Sequence, residues 1–471
     1  MDLFFKKPYF SSLQFLQALA VILMAAIFVM PSCIEDGVTT SPAHQPAFST
    51  DTLRMGDLFT GADNPTFSFR VYNRHDKILN ISSIRLKSGA STFRLNVDGL
   101  SGTRFSNIEI RPNDSIYVFV SSTLPVNGDY RPLTVEDCIE FITNGVTSEV
   151  VVTATGSDVE RHRGTVITAD TYWSADRPRQ IFDSLVVASG ATLTLEAGAR
   201  LYFHDGASMR VRGSLIAEGT PQAHIRFSGD RTGNVVTDIS FELMSRQWTG
   251  LYFAPTSRGN SLKYTEVCNT WTGVTVDSAG VTDSPVLTLA NCRLRNADGH
   301  ALTVRHSRVD AFACEFAEAG AGPVNLTGGD YRFIGCTFSN YYLFSAIGGP
   351  LLQLDKPASA RIVNCIFYGS GADILPGDLS GTAVTVERCL LRSTGADDDN
   401  FRNCLWESDP LFYTVRSEYL FDYRIRPESP AVGAALPGYE SLSGAADWYG
   451  APRTSASLGA YEPFEKQQPT P

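Results

Sequence analysis

Apolar and polar residues alternate in short bursts along this chain, and after residue 40 no stretch shows the 3.6-residue spacing of a helix. The most regular bursts recur in register. Leu287 and Leu289, Val309 and Ala311, Tyr331 and Phe333, Ala360 and Ile362, and Val384 and Val386 stand five and three residues before Cys292, Cys314, Cys336, Cys365 and Cys389. Cys268 and Cys404 extend that series at both ends, giving intervals of 24, 22, 22, 29, 24 and 15 residues. Two places after six of the seven cysteines comes a large apolar residue: Leu294, Phe316, Phe338, Phe367, Leu391 or Trp406. Alternation of this kind predicts strands, and a repeat of about 20 to 50 residues predicts a solenoid or propeller. A turn of 22 to 29 residues made only of short strands matches one rung of a right-handed parallel β-helix, with rungs stacked about 4.8 Å apart.

Short apolar runs begin the same rhythm earlier, at Leu185 to Ala188, Thr192 to Leu195, Arg200 to Phe203, Ser208 to Val211, Ser214 to Ala217 and His224 to Phe227, with glycines between them. Arg161 to Gln180 reads as an irregular lead-in, and Asp230 to Gln247 as a lateral excursion. Between the cysteine strands lies a second column, with inward pairs Val274 and Val276, Leu302 and Val304, Val324 and Leu326, Leu352 and Leu354. Its intervening residues should face water as two stacked polar files: Thr275, Thr303, Asn325 and Gln353 in one, Asp277, Arg305, Thr327 and Asp355 in the other. These eight residues are the candidate binding face. Leu185 to Trp406 spans 222 residues, or about nine rungs.

Stacked in register, the thiols would place their Cβ atoms about 4.8 Å apart, beyond the roughly 3.5–4.5 Å of a disulfide. A line of thiols also lacks the tetrahedral convergence zinc needs. The cysteines therefore read as a ladder of small apolar side chains.

Upstream, seven segments alternate with polar turns: Thr66 to Tyr72, Ile78 to Leu86, Phe93 to Val97, Ser106 to Ile110, Ser115 to Val120, Cys138 to Thr143 and Ser148 to Thr155. They predict an immunoglobulin-like β-sandwich over residues 49–160, with Cys138 as a buried small residue in it. At the N-terminus, Lys6 and Lys7 precede a 12-residue apolar run, Leu19 to Met30, and then Met30-Pro31-Ser32-Cys33. That arrangement resembles the signal peptide and lipobox of bacterial lipoproteins, and implies cleavage after residue 32, lipidation of Cys33, and a tether over 33–48 rich in Pro, Ser and Thr. Ile34, Glu35 and Asp36 resemble the signal that sends some lipoproteins to the outer face of the outer membrane.

The run from Gly213 to Thr220 resembles the opening rungs of right-handed β-helix proteins. Asp409 to Phe412, Asp422 to Gly433, Asp447 to Arg453 and Leu458 to Glu462 together resemble the C-terminal region of the β-helix proteins called choice-of-anchor Q. The resemblance implies a surface-displayed, lipid-anchored, all-β protein: sandwich 49–160, β-helix 161–406, and a segment 407–471 covering the last rung.

Charge removes one class of partner. The net charge is −11, the chain has no basic run, and nucleic acid is not an expected ligand. Catalytic chemistry is weakly marked. A glycoside hydrolase needs two opposed carboxylates, and a lyase needs a calcium cage with a base. Asp397, Asp398 and Asp399 form the one acidic cluster that calcium would use, with no other cofactor indicated, and His300 and His306 flank a strand without a carboxylate motif. The expected function is non-catalytic binding or adhesion along the outer face, to glycan or a surface protein, by a monomer joined to the membrane only through its lipid. The alternative is a polysaccharide lyase or glycoside hydrolase with its site on that face.

Overall fold

The computed structural model describes residues 37–62, 64–89, 92–128, 130–236 and 239–466. The expected leader, residues 1–32, and the lipidation site Cys33 lie outside them. Among the described residues the regular structure is strand, apart from short helical turns at Phe241–Leu243, Arg416–Glu418 and Glu440–Ser443. None of these is long and apolar enough to cross a membrane.

Two compact units divide the chain. The first holds the described residues up to Leu53, with Ser68–Val120 and Asp137–Val151; the second holds Arg54–Phe67, Ser121–Glu136 and everything from Val152. The N-terminal strands form two sheets. One runs Ala47–Phe48, Phe67–Tyr72, Ser115–Ser122, Phe93–Val97, Leu100–Gly102, and the other runs Thr52–Phe59, Val146–Ser157, Leu133–Thr143, Leu79–Leu86, Arg104–Phe105. Strict alternation buries Val71, Ile81, Leu95, Val118, Val120 and Phe141, and the Phe141 ring lies 4.9 Å from Phe48. Cys138, expected in this core, is half-buried instead. Its neighbours Asp137 and Ile139 take the inward positions of the strand, which puts position 138 on the outer side.

From Glu160 onward the chain is a parallel β-helix. Its first face stacks Ser208–Val211, Gly250–Phe253, Val274–Val276, Leu302–Arg305, Val324–Thr327, Leu352–Asp355 and Ile374–Leu375. The second face carries the strands before the cysteines, from Thr171–Trp173 through Leu287–Ala290 and Asp330–Ile334 to Phe401–Arg402. A third face stacks Arg200–Phe203, Ile225–Gly229, Thr265–Val267, Arg293–Ala297, Glu315–Ala319, Thr337–Ser339, Ile366–Phe367 and Leu390–Leu391. The lead-in expected to be irregular is itself a layer. Glu160–Ile167 pairs in parallel with Arg179–Val187, and Thr171–Trp173 with Thr192–Leu195. Its sequence hides this because an end layer has a neighbour on one side only: of the eight residues in Glu160–Ile167, Ile167 alone is buried.

Inside, like stacks on like. Phe316, Phe338 and Phe367 lie on successive layers with ring centroids 5.2 and 4.5 Å apart, and each fully buried ring contributes about 1.5–3 kcal/mol. Cys292, Cys314, Cys336, Cys365 and Cys389 are fully enclosed, and Cys404 is half-buried. The Cys292, Cys336 and Cys365 amides point at the sulfur of the next layer at 3.3–3.4 Å. Burial pushes the Cys292 and Cys365 thiols well up, and that of Cys404 up to about 12, so they remain protonated at neutral pH. Cys268 does not belong to this ladder. Register pairs Glu266 with Arg293 and Val267 with Leu294, so Thr265 occupies the cysteine position of its layer. The Thr265 hydroxyl donates to the carbonyls of Ala217 and Lys263, as the Cys292 thiol does to Leu262 and Ala290.

The closing segment does not cap the last rung. It runs along the third face, because that face carries charged side chains and the apolar Ile366 and Leu390 on its outside and needs a partner there. Trp448 stacks on His224 at 3.8 Å, and Tyr461 accepts from Arg293 at 2.9 Å and donates to Glu315. Tyr423 donates to Glu318, and Ile425, Ala431 and Leu458 pack on Ile366 and Leu390. At the final layer Trp406 lies 5.1 Å from Phe401.

A charge network is buried on this third face. Arg295 and Arg226 reach Glu266 at 2.8 and 3.4 Å. Burial raises the Glu266 carboxyl, but Arg295, Arg226 and Arg293 outweigh it and hold it at about 2. Glu318 lacks such cations at close range, and burial pushes it up to about 7 against hydrogen bonds from Tyr423 and the Tyr341 amide.

Two outcomes follow from this packing. Trp448→Ala should lower unfolding free energy by about 3–5 kcal/mol in a urea titration, although it lies 46 residues beyond the coil's last strand, Phe401–Arg402. Because the folded pKa of Glu318 lies above its ordinary value, its contribution is complete in acid and is lost as pH rises through about 7. Glu318→Gln should match the parent at pH about 5 and exceed it by roughly 2–3 kcal/mol at pH about 8.5.

Candidate functional site

On the first face, register puts Thr275 beside Thr303, Thr303 beside Asn325, and Asn325 beside Gln353. The neighbouring file holds Arg305, Thr327 and Asp355. Exposure along the files is uneven: Arg305 and Asp355 are exposed, Thr275, Asn325 and Gln353 are half-buried, and Thr303 is buried. Asp277 stands just after its strand Val274–Val276 and does not point freely outward. It accepts from the Tyr252 hydroxyl at 2.7 Å and from the Ser278 amide at 2.8 Å, and these bonds hold its carboxyl below the ordinary aspartate range.

The first file also extends upstream of the expected residues, with Arg210 beside Tyr252 and Tyr252 beside Thr275. Here the face sinks into an open depression of ≈ 540 Å³, within the usual range of ligand sites. Thr275, Thr303 and Arg305 line it together with Arg210, Tyr252, Trp271 and His300. Its floor is low because the turn backbones nearly touch. A Cβ at Gly250 would lie 2.4 Å from the Gly273 carbonyl, and one at Gly273, where φ is +66°, 2.1 Å from that of His300. Trp271 forms the rim at 43% exposure. Arg246 lies 5.1 Å over its ring and is anchored on Asp298 at 2.6 Å, so the indole is positioned and not left loose. His300 Nδ1 is 2.8 Å from the Gly322 carbonyl. A carbonyl only accepts, so Nδ1 carries the proton and Nε2 remains an acceptor; burial keeps the ring neutral by lowering its pKa.

Gln353 and Asp355 line a second depression of ≈ 690 Å³ with Lys356, Leu375 and Leu379. Asn325 and Thr327 lie on the layer between the two. The candidate face is thus two sites on one file. Tyr252 and Trp271 are outside the expected set: Tyr252 is the outward residue of Gly250–Phe253, one layer above the column that begins at Val274, while Trp271 sits in a turn and obeys no alternation.

The acidic loop does not fit calcium. Asp397 accepts from the Asn403 and Cys404 amides at 2.5 and 3.1 Å and from the Trp406 indole at 3.1 Å. Asp398 accepts from the Asn400 and Phe401 amides at 2.8 and 2.7 Å. Asp399 offers its carbonyl to Arg402. These carboxylates close a turn instead of converging, and among the described residues no three His, Cys, Asp or Glu side chains gather as metal ligands would.

No family model matches the chain, and no curated protein does. Among solved structures, the periplasmic chaperone SfaE shares 13% identity over 24% of this chain and 58% of its own, with a TM-score of 0.17. The chaperone DraB of E. coli shares 10% over 24% and 54%, at 0.17. A family 123 glycoside hydrolase from Clostridium perfringens, described in terms of glycolipid glycan hydrolysis, shares 9% over 28% and 31%, at 0.19. This chain spans less than two thirds of each of them, and likenesses at these scores bear on neither its chemistry nor its partners.

Tyr252→Phe should free Asp277 and raise its pKa, read directly from the carboxyl resonance in a carbon-13 NMR titration. An unchanged midpoint would mean that the Tyr252 hydroxyl does not hold it.

Proposed function

We propose that this chain is a non-catalytic, surface-displayed binding protein that holds glycan in the depression between Arg210 and Arg305. The observation that carries the reading is the pairing of aromatic surface, the exposed Trp271 and the half-buried Tyr252, with short hydroxyl side chains in register on a rigid face. Sugar rings present one apolar face and an equatorial rim of hydroxyls, which suits an aromatic rim over a hydrogen-bonding floor. The layer repeat of about 4.8 Å gives an extended chain the same contacts at successive steps.

Carboxylate spacing favours binding over hydrolysis. Asp277 and Asp355 are separated by the layers of Arg305 and Thr327, three steps or ~14 Å, against about 5–9.5 Å for the two acids of a glycosidase. The same proposal takes the chain to belong with choice-of-anchor Q surface proteins, anchored in the outer membrane through lipid on Cys33 and facing the exterior as a monomer. The motifs of the closing segment and the Met30-Pro31-Ser32-Cys33 run support it.

Binding of the soluble chain, begun after Cys33, to immobilised polysaccharides tests the function. Trp271→Ala should weaken retention at least tenfold, about 1.4 kcal/mol, with thermal stability preserved. New reducing or unsaturated ends that vanish on replacing Asp277 would replace this reading with an enzymatic one.

A further inference from the structure

We infer that the depression selects carboxylate-bearing sugars, uronic-acid units of an acidic polysaccharide, through Arg210 and Arg305. This inference rests on the glycan reading above and specifies its ligand.

Arginines on the coil divide into those tied to a carboxylate and those free of one. Arg226, Arg246, Arg293, Arg295, Arg308 and Arg332 all lie within 4.0 Å of a carboxylate. Arg210 and Arg305 are exposed, and among the described residues neither forms an ion pair. In a protein of net charge −11, two guanidinium groups without a direct carboxylate bridge at opposite ends of one depression concentrate positive charge there, although Asp277 on the adjacent layer acts on Arg305 at longer range. Their fields overlap at its centre: both act on the Tyr252 hydroxyl, which is committed to Asp277. Asp277 is thus held by Tyr252 and Ser278, and does not neutralise Arg305 in a direct bridge.

Geometry sets the scale of the ligand. Arg210, Tyr252, Thr275 and Thr303 are consecutive in register, so Arg210 lies three layers, or ~14 Å, from the strand that bears Arg305. An extended oligosaccharide of a few units lies along that distance, its rings against Tyr252 and Trp271 and a carboxylate near each end. The guanidinium fork matches a planar carboxylate with two parallel hydrogen bonds. Commitment to carboxylate over sulfate follows from net charge, because a densely sulfated chain is repelled at long range by the acidic surface, whereas a uronate adds one charge per unit.

The test is calorimetric titration of the full soluble chain at fixed ionic strength with three probes: a tetra-uronate, the same oligosaccharide with its carboxyls reduced to alcohols, and a sulfated tetrasaccharide. The uronate should bind at least tenfold tighter than its reduced form. Arg210→Gln and Arg305→Gln, both at exposed positions, should each cut that preference threefold or more by weakening the uronate more than its reduced form. Trp271→Ala should weaken both forms alike. Equal affinity for uronate and reduced form would overturn the inference and leave the glycan reading standing, whereas failure of all three probes would overturn both. A sulfated probe binding as tightly as the uronate would overturn the assignment to carboxylate.

Discussion

Register between successive layers is the constraint on which the rest of this structure depends. In a parallel coil each inward side chain meets its counterpart one layer on, and a slip of one residue would turn the whole set outward. The chain fixes register at the turn before the third face. Tyr264, Asn291, Ala313, Asn364, Arg388 and Asn403 all adopt positive φ there, between +43° and +58°. The next residue is Thr265 or a cysteine, whose hydroxyl or thiol is satisfied by backbone carbonyls of its own and the preceding layer. Side chain and backbone thus identify the same position in each layer.

The lateral course of the closing segment follows from the same geometry. A coil has one core and three outer faces, and the third face carries Arg293, Glu315 and Glu318, which are costly to bury without partners. Tyr461, Tyr423 and Trp448 supply those partners along the length of the coil, so residues far apart in sequence share one packed surface. Among the described residues the first face has no such cover over Arg210, Trp271 and Arg305, and that leaves it open to a ligand.

The architecture was legible because a solenoid writes its period into the sequence. Strands such as Arg200–Phe203 and Ser208–Val211 were located to the residue, and the outward file from Thr275 to Gln353 came out in register. What misled was a residue that matched by type and not by position: Cys268 lies three residues beyond the true ladder site, and a threonine occupies that site with the same hydrogen bonds. Likewise the depression depends on glycines in turns and on Trp271, features that have no periodicity. The course of the closing segment is a tertiary fact, decided by partners more than a hundred residues away.

The depression around Trp271 and that around Leu375 share a single file, with the Asn325 layer between them. Since every layer begins and ends at equivalent points, gain or loss of one layer there would change their separation by about 4.8 Å without altering either lining. The distance between the two sites is therefore quantised, and the length of a bridging polymer would be read in whole layers.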